Sequence, residues 1–564
     1  MPIMASASTL RSFQRLFTFS LFFLCAAIAL LALSFNTNSS LYYTTLLQAQ
    51  ANHGGSWFHL LSKMVDTQKL KIGLVNVDDD EIKSVYYDMY DHGSLAETVS
   101  VDFEPVSKDK KWEDFFPEWI DEDHKWGSPR CPEIPMPRLE DYLGLDVIVA
   151  RVPCGGEGKN MKGIRDVWRL QVNLVVANLA VANGWPVQNQ ASEDMDRTVY
   201  VVFMGSCGPM QEIFRCDDLL THVGDYWIYK PQLRKLKRKV LMPAGSCQIA
   251  PPFAETGQEI WRQTLPSPTS RLNATFQRAA YVTILHSSEA YVCGAIALAQ
   301  SIIQTKSTKD LVLLHDSSIT PKSLRGLRAS GWKTKLIEPI RNPSAKKGSY
   351  NEWNYSKLRV WQLSDYDKVI FIDSDIIVLK NLDSFFLYPQ ISASANDKML
   401  FNSGIMVIEP SKCRLKDLMS KTSKLASYNG GDQGFLNEAF TWWHRLPAKL
   451  NHLKVFVRKG NPNHEIPDDV YAVHFLGWKP WMCYRDYDCN WDIVARHNFA
   501  SDSAHRRWWR VYDAMPKKLQ KFCGLTRQMD ERIRKWRRIA KDQGLPDGHW
   551  NINATDPRRH RLIS

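Results

Sequence analysis

The 564-residue sequence has very little net charge outside its tail. Residues 505–564 hold 16 Lys and Arg against 6 Asp and Glu, so +10 of the formal +12 sits in the last sixty residues and +2 in the other 504. This excludes a nucleic-acid-binding face spread over the body of the protein, and no DNA- or RNA-binding motif accompanies the basic tail. Cysteine is absent in metal-binding spacings: there is no Cys-x-x-Cys and no Cys/His set, which excludes a structural zinc. A phosphate-binding glycine loop is lacking as well. Gly155-Gly156-Glu157-Gly158 has neither the Lys-Ser/Thr of a P-loop nor dinucleotide spacing, and reads as a plain turn.

What is present begins with a hydrophobic run. Arg11 and Arg15 precede Leu16–Phe35, twenty residues without a charge. As a helix rising ~1.5 Å per residue this run spans a hydrocarbon core of ~30 Å. Basic residues before it and none just after predict a cytosolic N-terminus and a lumenal body. The competing reading, a cleaved signal peptide, carries an apolar region of only about 7–15 residues. An oxidising lumen makes the ten cysteines beyond Cys25 candidates for disulfides, with no pairing fixed by sequence. Of the sequons at Asn38, Asn273, Asn354 and Asn553, Asn354 lies beside candidate site residues and is not expected to carry a glycan.

Composition, at 44% hydrophobic and 23% charged, is that of a folded globular chain. The expected division is a cytosolic tail (1–15), a signal-anchor (16–35), a stem (36–70), an accessory α/β unit (71–250), a Pro-rich linker (251–278), a catalytic α/β domain (279–500) and a basic C-terminal region (501–564). The accessory unit shows strands at 72–77, 146–152 and 198–204 and a helix over 165–183, with no function legible in them. In the basic region, Arg532-Ile533-Arg534-Lys535-Trp536-Arg537-Arg538 predicts a helix whose charged face meets solvent; contact with anionic polymer or lipid headgroups is the alternative.

From Ala279 onward strands alternate with helices: strands at 280–285, 311–314, 332–337 and 369–372, and helices at 293–303, 321–330 and 356–363. This pattern predicts a parallel, doubly wound sheet, whose ligands bind beyond the carboxyl ends of the strands. The apolar run Val369–Ile372 leads directly into Asp373-Ser374-Asp375, two hard oxygen donors suited to a divalent cation. Four further stretches follow: Phe401-Asn402-Ser403-Gly404, Asn429-Gly430-Gly431-Asp432-Gln433-Gly434, His474-Phe475, and Leu476-Gly477-Trp478-Lys479-Pro480-Trp481. Singly each has a structural account as a turn, a helix cap, a core histidine or a surface charge.

Taken together and in this order, these motifs resemble the retaining glycosyltransferases of family 8, the group containing glycogenin, over roughly residues 279–490. With the anchor and the N-terminal extension, the resemblance is greatest to the plant xylan glucuronosyltransferases, also called plant glycogenin-like starch initiation proteins. It implies a GT-A fold, Rossmann-like, and Mn²⁺ held by Asp373, Asp375 and His474. Those two carboxylates and one imidazole tolerate Mn²⁺ better than Ca²⁺. Lys479 is placed on the same diphosphate. Leu285 and Tyr291 match positions used around uridine, with one residue more between strand and tyrosine than glycogenin has. Asn402, Ser403, Gly404 and Asn429 to Gln433 match stretches that hold the sugar, and Phe475 to Trp478 complete the donor-binding motif.

Asp432 and Lys357 are the implied catalytic groups. Asp432 acts either as nucleophile or as a stabiliser of oxocarbenium charge in a front-face route, and the sequence leaves both open. Asn429 stands where glycogenin has a second aspartate, a loss that fits a donor carrying its own carboxylate; Arg359 is a candidate partner for that carboxylate. Trp442, Trp443, Trp478, Trp481 and Trp491 are candidate platforms for pyranose rings, with core or rim packing as the commoner role of such residues. The implied activity is α-linked glucuronate transfer from UDP-glucuronate to xylan in the Golgi. Galacturonosyl transfer, glucosyl priming and a catalytically silent carbohydrate-binding scaffold are the alternatives. Homo- or hetero-oligomers with other cell-wall transferases stay open.

Overall fold

A computed structural model describes residues 57–62, 70–78, 96–154, 165–184, 197–251, 278–397, 399–456 and 464–562. The expected anchor at 16–35, most of the stem, the 155–158 turn, Asn38 and Asn273 lie outside them. Among the described residues no helix is long and apolar enough to cross a membrane.

Two large sheets carry the protein. The first contains β1 (Lys71–Val75), β2 (Glu97–Ser100), β3 (Val147–Arg151), β4 (Tyr200–Met204), β5 (Leu219–Val223) and β6 (Tyr226–Tyr229), in the order β2-β1-β3-β4-β6-β5. Its first four strands are parallel, and β6 runs antiparallel to both β4 and β5. Helix α1 (Val167–Gly184) is buried over most of its length. The second sheet contains β7 (Ala279–Leu285), β8 (Asp310–His315), β9 (Lys333–Leu336) and β10 (Lys368–Ile372), with helices α2 (Val292–Gln304) and α3 (Pro321–Ala329) between its first strands. These four strands are parallel, and every residue of β7 and β10 is buried, as expected of central strands covered on both faces.

The parallel expectation fails beyond β10. After a short strand β11 (Ile376–Val378), β12 (Ser392–Ala395) and β13 (Phe401–Ile408) are joined by residues 396–400, too few for a crossover, so β13 pairs antiparallel with both β12 and β10. With β14 (His444–Leu446) the order is β14-β12-β13-β10-β7-β8-β9, a mixed sheet. The polar trio 402–404 lies inside β13 rather than in a turn. The expected helix at 356–363 is a 3-10 helix over Asn354–Gln362; it is buried on nearly all sides, so packing rather than one amphipathic face sets its winding.

A third sheet of β11, β15 (His452–Leu453) and β16 (Ala472–His474) sits at the carboxyl end of β10. One hydrophobic cluster runs from Val75 and Phe203 in the first sheet to Val369 and Met406 in the second. Trp442 Nε1 donates to the Ala244 carbonyl and Thr441 N to Glu212, which fastens the β14 edge to the first unit. The ten cysteines pair as Cys131–Cys247, Cys154–Cys207, Cys216–Cys413, Cys293–Cys523 and Cys483–Cys489.

Candidate active site

The carboxyl ends of β7 and β10 open into a cleft of about 650 Å³. Its lining includes Leu285 and Tyr291 from the first strand and turn, Asp373, Ser374 and Asp375 from the end of β10, and Asp432, His474, Leu476 and Lys479 from later segments. Sequence separation of about a hundred residues is closed by strand pairing. β11 runs antiparallel to β16 in a register that sets Ile376 against His474, and Phe475 N donates to the Asp375 carbonyl at 3.0 Å.

That register completes a cation site: donor atoms of Asp373, Asp375 and His474 all lie within 4.8 Å of one another. The His474 tautomer follows from backbone geometry. Gly404 N–H donates to Asn402 Oδ1 at 2.8 Å, and Asn451 Nδ2 donates to the same oxygen at 2.8 Å. Asn451 Oδ1 is thereby turned to His474 Nδ1 at 3.2 Å, so Nδ1 carries the proton and Nε2 presents its lone pair, 3.5 Å from Asp375 Oδ1. A ring nitrogen freed in this way beside two carboxylates fits a divalent cation. Burial opposes ionisation of Asp375, but the Lys479 ammonium, 2.7 Å away, outweighs it and holds the carboxyl below its usual range. Burial and the like charges of Asp375 and Asp432 raise Asp373, against the pull of Lys357.

A second cluster faces the first. Lys357 Nζ lies 2.5 Å from Asp432 Oδ2 and 3.2 Å from Asp373 Oδ1, and bonds Ser403 Oγ at 3.3 Å. Burial works against its charge, yet the two carboxylates raise the ammonium above its usual value. Asp432 opens helix α4 (Asp432–Ala439), where a carboxylate is favoured. Its Oδ2 accepts from Ser403 Oγ at 3.1 Å and its Oδ1 from Asn354 Nδ2 at 3.3 Å. Asn354 Oδ1 is buried on the same wall with no hydrogen-bond partner among the described residues.

Several of the expected sugar contacts also support the site. Asn402 fixes Asn451, as above, and Gly404 leaves room for the imidazole. Asn429 Oδ1 accepts from Gly431 N and Gly434 N at 2.9 and 3.2 Å, capping its own turn, and does not line the cleft. A carboxylate could make the same bonds, so its loss there is no sign of a charged donor. Gly430 has φ +66° and its carbonyl receives Asn342 Nδ2. Gln433 Oε1 accepts from Ser403 N. Phe475 is buried behind the cleft and its carbonyl receives Lys479 Nζ. Gly477 and Trp478 form a turn held by Asn490.

Arg359 does not reach the cleft: its Nε donates to the Glu338 carbonyl at 2.9 Å. Of the candidate pyranose platforms, Trp442, Trp443 and Trp481 are core residues, Trp478 is covered by the Arg532 guanidinium at 4.2 Å, and Trp491 stacks between His464 and His549. Exposed indoles occur at Trp119 and Trp126, 54% and 79% exposed and 5.9 Å apart. Sequence reasoning missed Asn451, the site role of Asn354, and the wall formed by His286, Ser288, Tyr350 and Trp353. These are polar and aromatic residues in irregular segments, where no periodicity marks them.

Two family models match the chain: Glycosyl transferase family 8 over residues 282–392 and 387–483, and the GUX1-5 N-terminal domain over 46–247. A putative UDP-glucuronate:xylan alpha-glucuronosyltransferase 4 of Arabidopsis thaliana is 54% identical over 531 residues, covering 93% of this chain and 92% of that protein. UDP-glucuronate:xylan alpha-glucuronosyltransferase 2 of the same plant is 51% identical, covering 87% and 81%. Among solved structures, the galactosyltransferase LgtC with donor and acceptor sugar analogues is similar at 15% identity and a TM-score of 0.33, covering 43% of this chain and 99% of LgtC.

Proposed function

This chain belongs to glycosyltransferase family 8, in the group of the plant UDP-glucuronate:xylan alpha-glucuronosyltransferases, and from that premise we propose that it transfers glucuronate from UDP-glucuronate to the xylan backbone with retention. It is a glycosyltransferase with a GT-A-like mixed α/β fold. The observation that carries the reading is a single cleft in which the Asp373, Asp375 and His474 cluster faces the Lys357–Asp432 pair.

The division of labour follows from charge. Asp373, Asp375 and His474 would hold a divalent cation, Mn²⁺ in this proposal, which would supply Lewis acidity to a departing diphosphate. Lys479 contributes a point charge on the same side, and Leu285 and Tyr291 line the nucleoside end. Asp432 has both oxygens engaged, by Lys357 and Ser403 on one and Asn354 on the other. A carboxylate fixed in this way supports a front-face route: it stabilises positive charge at the anomeric carbon, the acceptor hydroxyl forms the new bond on the face that UDP leaves, and its proton passes to the departing phosphate.

The protein is proposed to work in the Golgi lumen, held by the anchor at 16–35. Five disulfides support an oxidising compartment. Incubating the purified protein with a panel of UDP-sugars and xylohexaose tests the reaction: glucuronate is the expected product side chain, and transfer of galacturonate but not glucuronate would overturn the choice. Calorimetric titration of UDP with and without Mn²⁺ separates an enzyme from a scaffold, since the enzyme binds UDP only with the metal.

A further inference from the structure

The basic C-terminal region is not absorbed by the catalytic cleft. Helix α6 (Arg527–Asp542), which follows α5 (Asp502–Ala514), forms one wall of a separate cleft of about 610 Å³ that shares no lining residue with the catalytic one. Arg534, Arg537, Arg538 and Lys541 stand at i, i+3, i+4 and i+7, which places all four cations on one face, and all four line the cleft. Arg559 and Trp550 line it as well.

Like charges at those spacings repel one another, so the arrangement invites an anion. The internal compensation is partial. Arg534 and Arg559 share Asp530, at 2.8 and 3.6 Å, and Arg537 donates to the carbonyls of Trp550 and Ile552. Arg538 and Lys541 are exposed and have no ion-pair partner among the described residues. Glu531 is the one acidic residue lining the cleft. The same helix is braced against the diphosphate loop: the Arg532 guanidinium lies over Trp478, the residue before Lys479.

We infer that this cleft binds glucuronate side chains already installed on the xylan chain, a subsite for the product's carboxylates rather than for the donor. The inference rests on the proposed activity. Guanidinium groups match a carboxylate bidentately, and the half-buried Trp550 offers apolar surface beside them for the ring that carries it.

Affinity electrophoresis of the full protein through glucuronoxylan, carboxyl-reduced glucuronoxylan and unsubstituted xylan tests this. Retention by glucuronoxylan is expected to be at least tenfold stronger than by the carboxyl-reduced polymer, and to weaken as added salt screens the charges. The Arg538→Ala/Lys541→Ala variant is expected to lose that tenfold preference while transferring glucuronate to xylohexaose at the normal rate; Arg538→Lys/Lys541→Arg retains it. Equal retention by the reduced polymer, or unchanged retention by the alanine variant, overturns the inference. So does tighter binding to phosphatidylserine vesicles than to glucuronoxylan, which assigns the face to a membrane. Absence of glucuronate transfer to xylohexaose by the unmodified protein sinks the proposed activity instead, so the two failures are distinguishable.

Discussion

A methyl group built on Gly404 would stand 2.7 Å from His474 Cε1 and 2.8 Å from both His474 Nδ1 and Asn402 Oδ1, inside any real carbon contact. All three atoms belong to the network that turns His474 Nε2 toward Asp375. Gly404→Ala is therefore expected to push the imidazole out of position and weaken metal-dependent UDP binding by about 10–100-fold, the range for supporting residues of a metal site. Calorimetry reads this, and unchanged affinity would show that His474 is not a ligand. Asn354 acts on the other cluster, bonding Asp432 through Nδ2 while its buried Oδ1 stays unpartnered. Asn354→Ala is expected to lower kcat by about tenfold or more with UDP affinity kept, because it releases one oxygen of Asp432, a group that acts on the sugar UDP lacks. Steady-state kinetics beside UDP titration separates the two terms.

At the scale of elements, β10 and β13 are fastened by a buried charge network where β13 ends. Lys368 Nζ lies 3.1 Å from Glu409 Oε1, and Arg215 reaches Glu409 Oε2 at 3.5 Å from the first unit. Burial disfavours the Glu409 carboxylate, but Lys368, Lys239 and Arg215 outweigh it and hold its carboxyl well below the usual value of 4.5. With one carboxylate serving several cations, burial pushes Lys368 and Lys239 down to about 8. The sign for Glu409 follows by linkage: the folded state gives up this proton more readily than the unfolded one, so the stabilisation is present above pH 4.5 and is lost as pH falls below it. Glu409→Gln is expected to cost about 3–5 kcal/mol at pH 7, since it leaves buried cations unpaired, and to flatten the loss of Tm below pH 4.5. Parallel thermal melts from pH 3 to 7 check both. An equal slope in the two proteins would remove Glu409 from the account.

Across the whole molecule the two sheets share one hydrophobic cluster, and Cys216–Cys413 ties them over a sequence separation of 197. The Cys216→Ala/Cys413→Ala variant is expected to lose about 2–4 kcal/mol, because a long loop in the unfolded chain is no longer closed. Urea melts measure it. The clasp residues remain, Ser411 Oγ on Asp217 at 2.9 Å and Thr441 N on Glu212 at 3.0 Å, so transfer activity is expected to survive. A full loss of activity without loss of stability would instead give the disulfide a part in shaping the site.

The sequence by itself determined what is local. Val369–Ile372 is apolar and rich in β-branched residues, so it forms a buried strand and carries Asp373 and Asp375 to the carboxyl end of the sheet; Asp432 after two glycines opens a helix. Its motif order was enough to give the family. Tertiary structure alone decided which residues meet. The β11–β16 register brings His474 to Asp375, and the backbone of Gly404 sets its tautomer through Asn402 and Asn451. It also put Asn429 and Trp442 to structural use. The physical reason is that periodicity and propensity act over a few residues, whereas register, burial and hydrogen-bond partnership are properties of contacts between segments far apart in the chain.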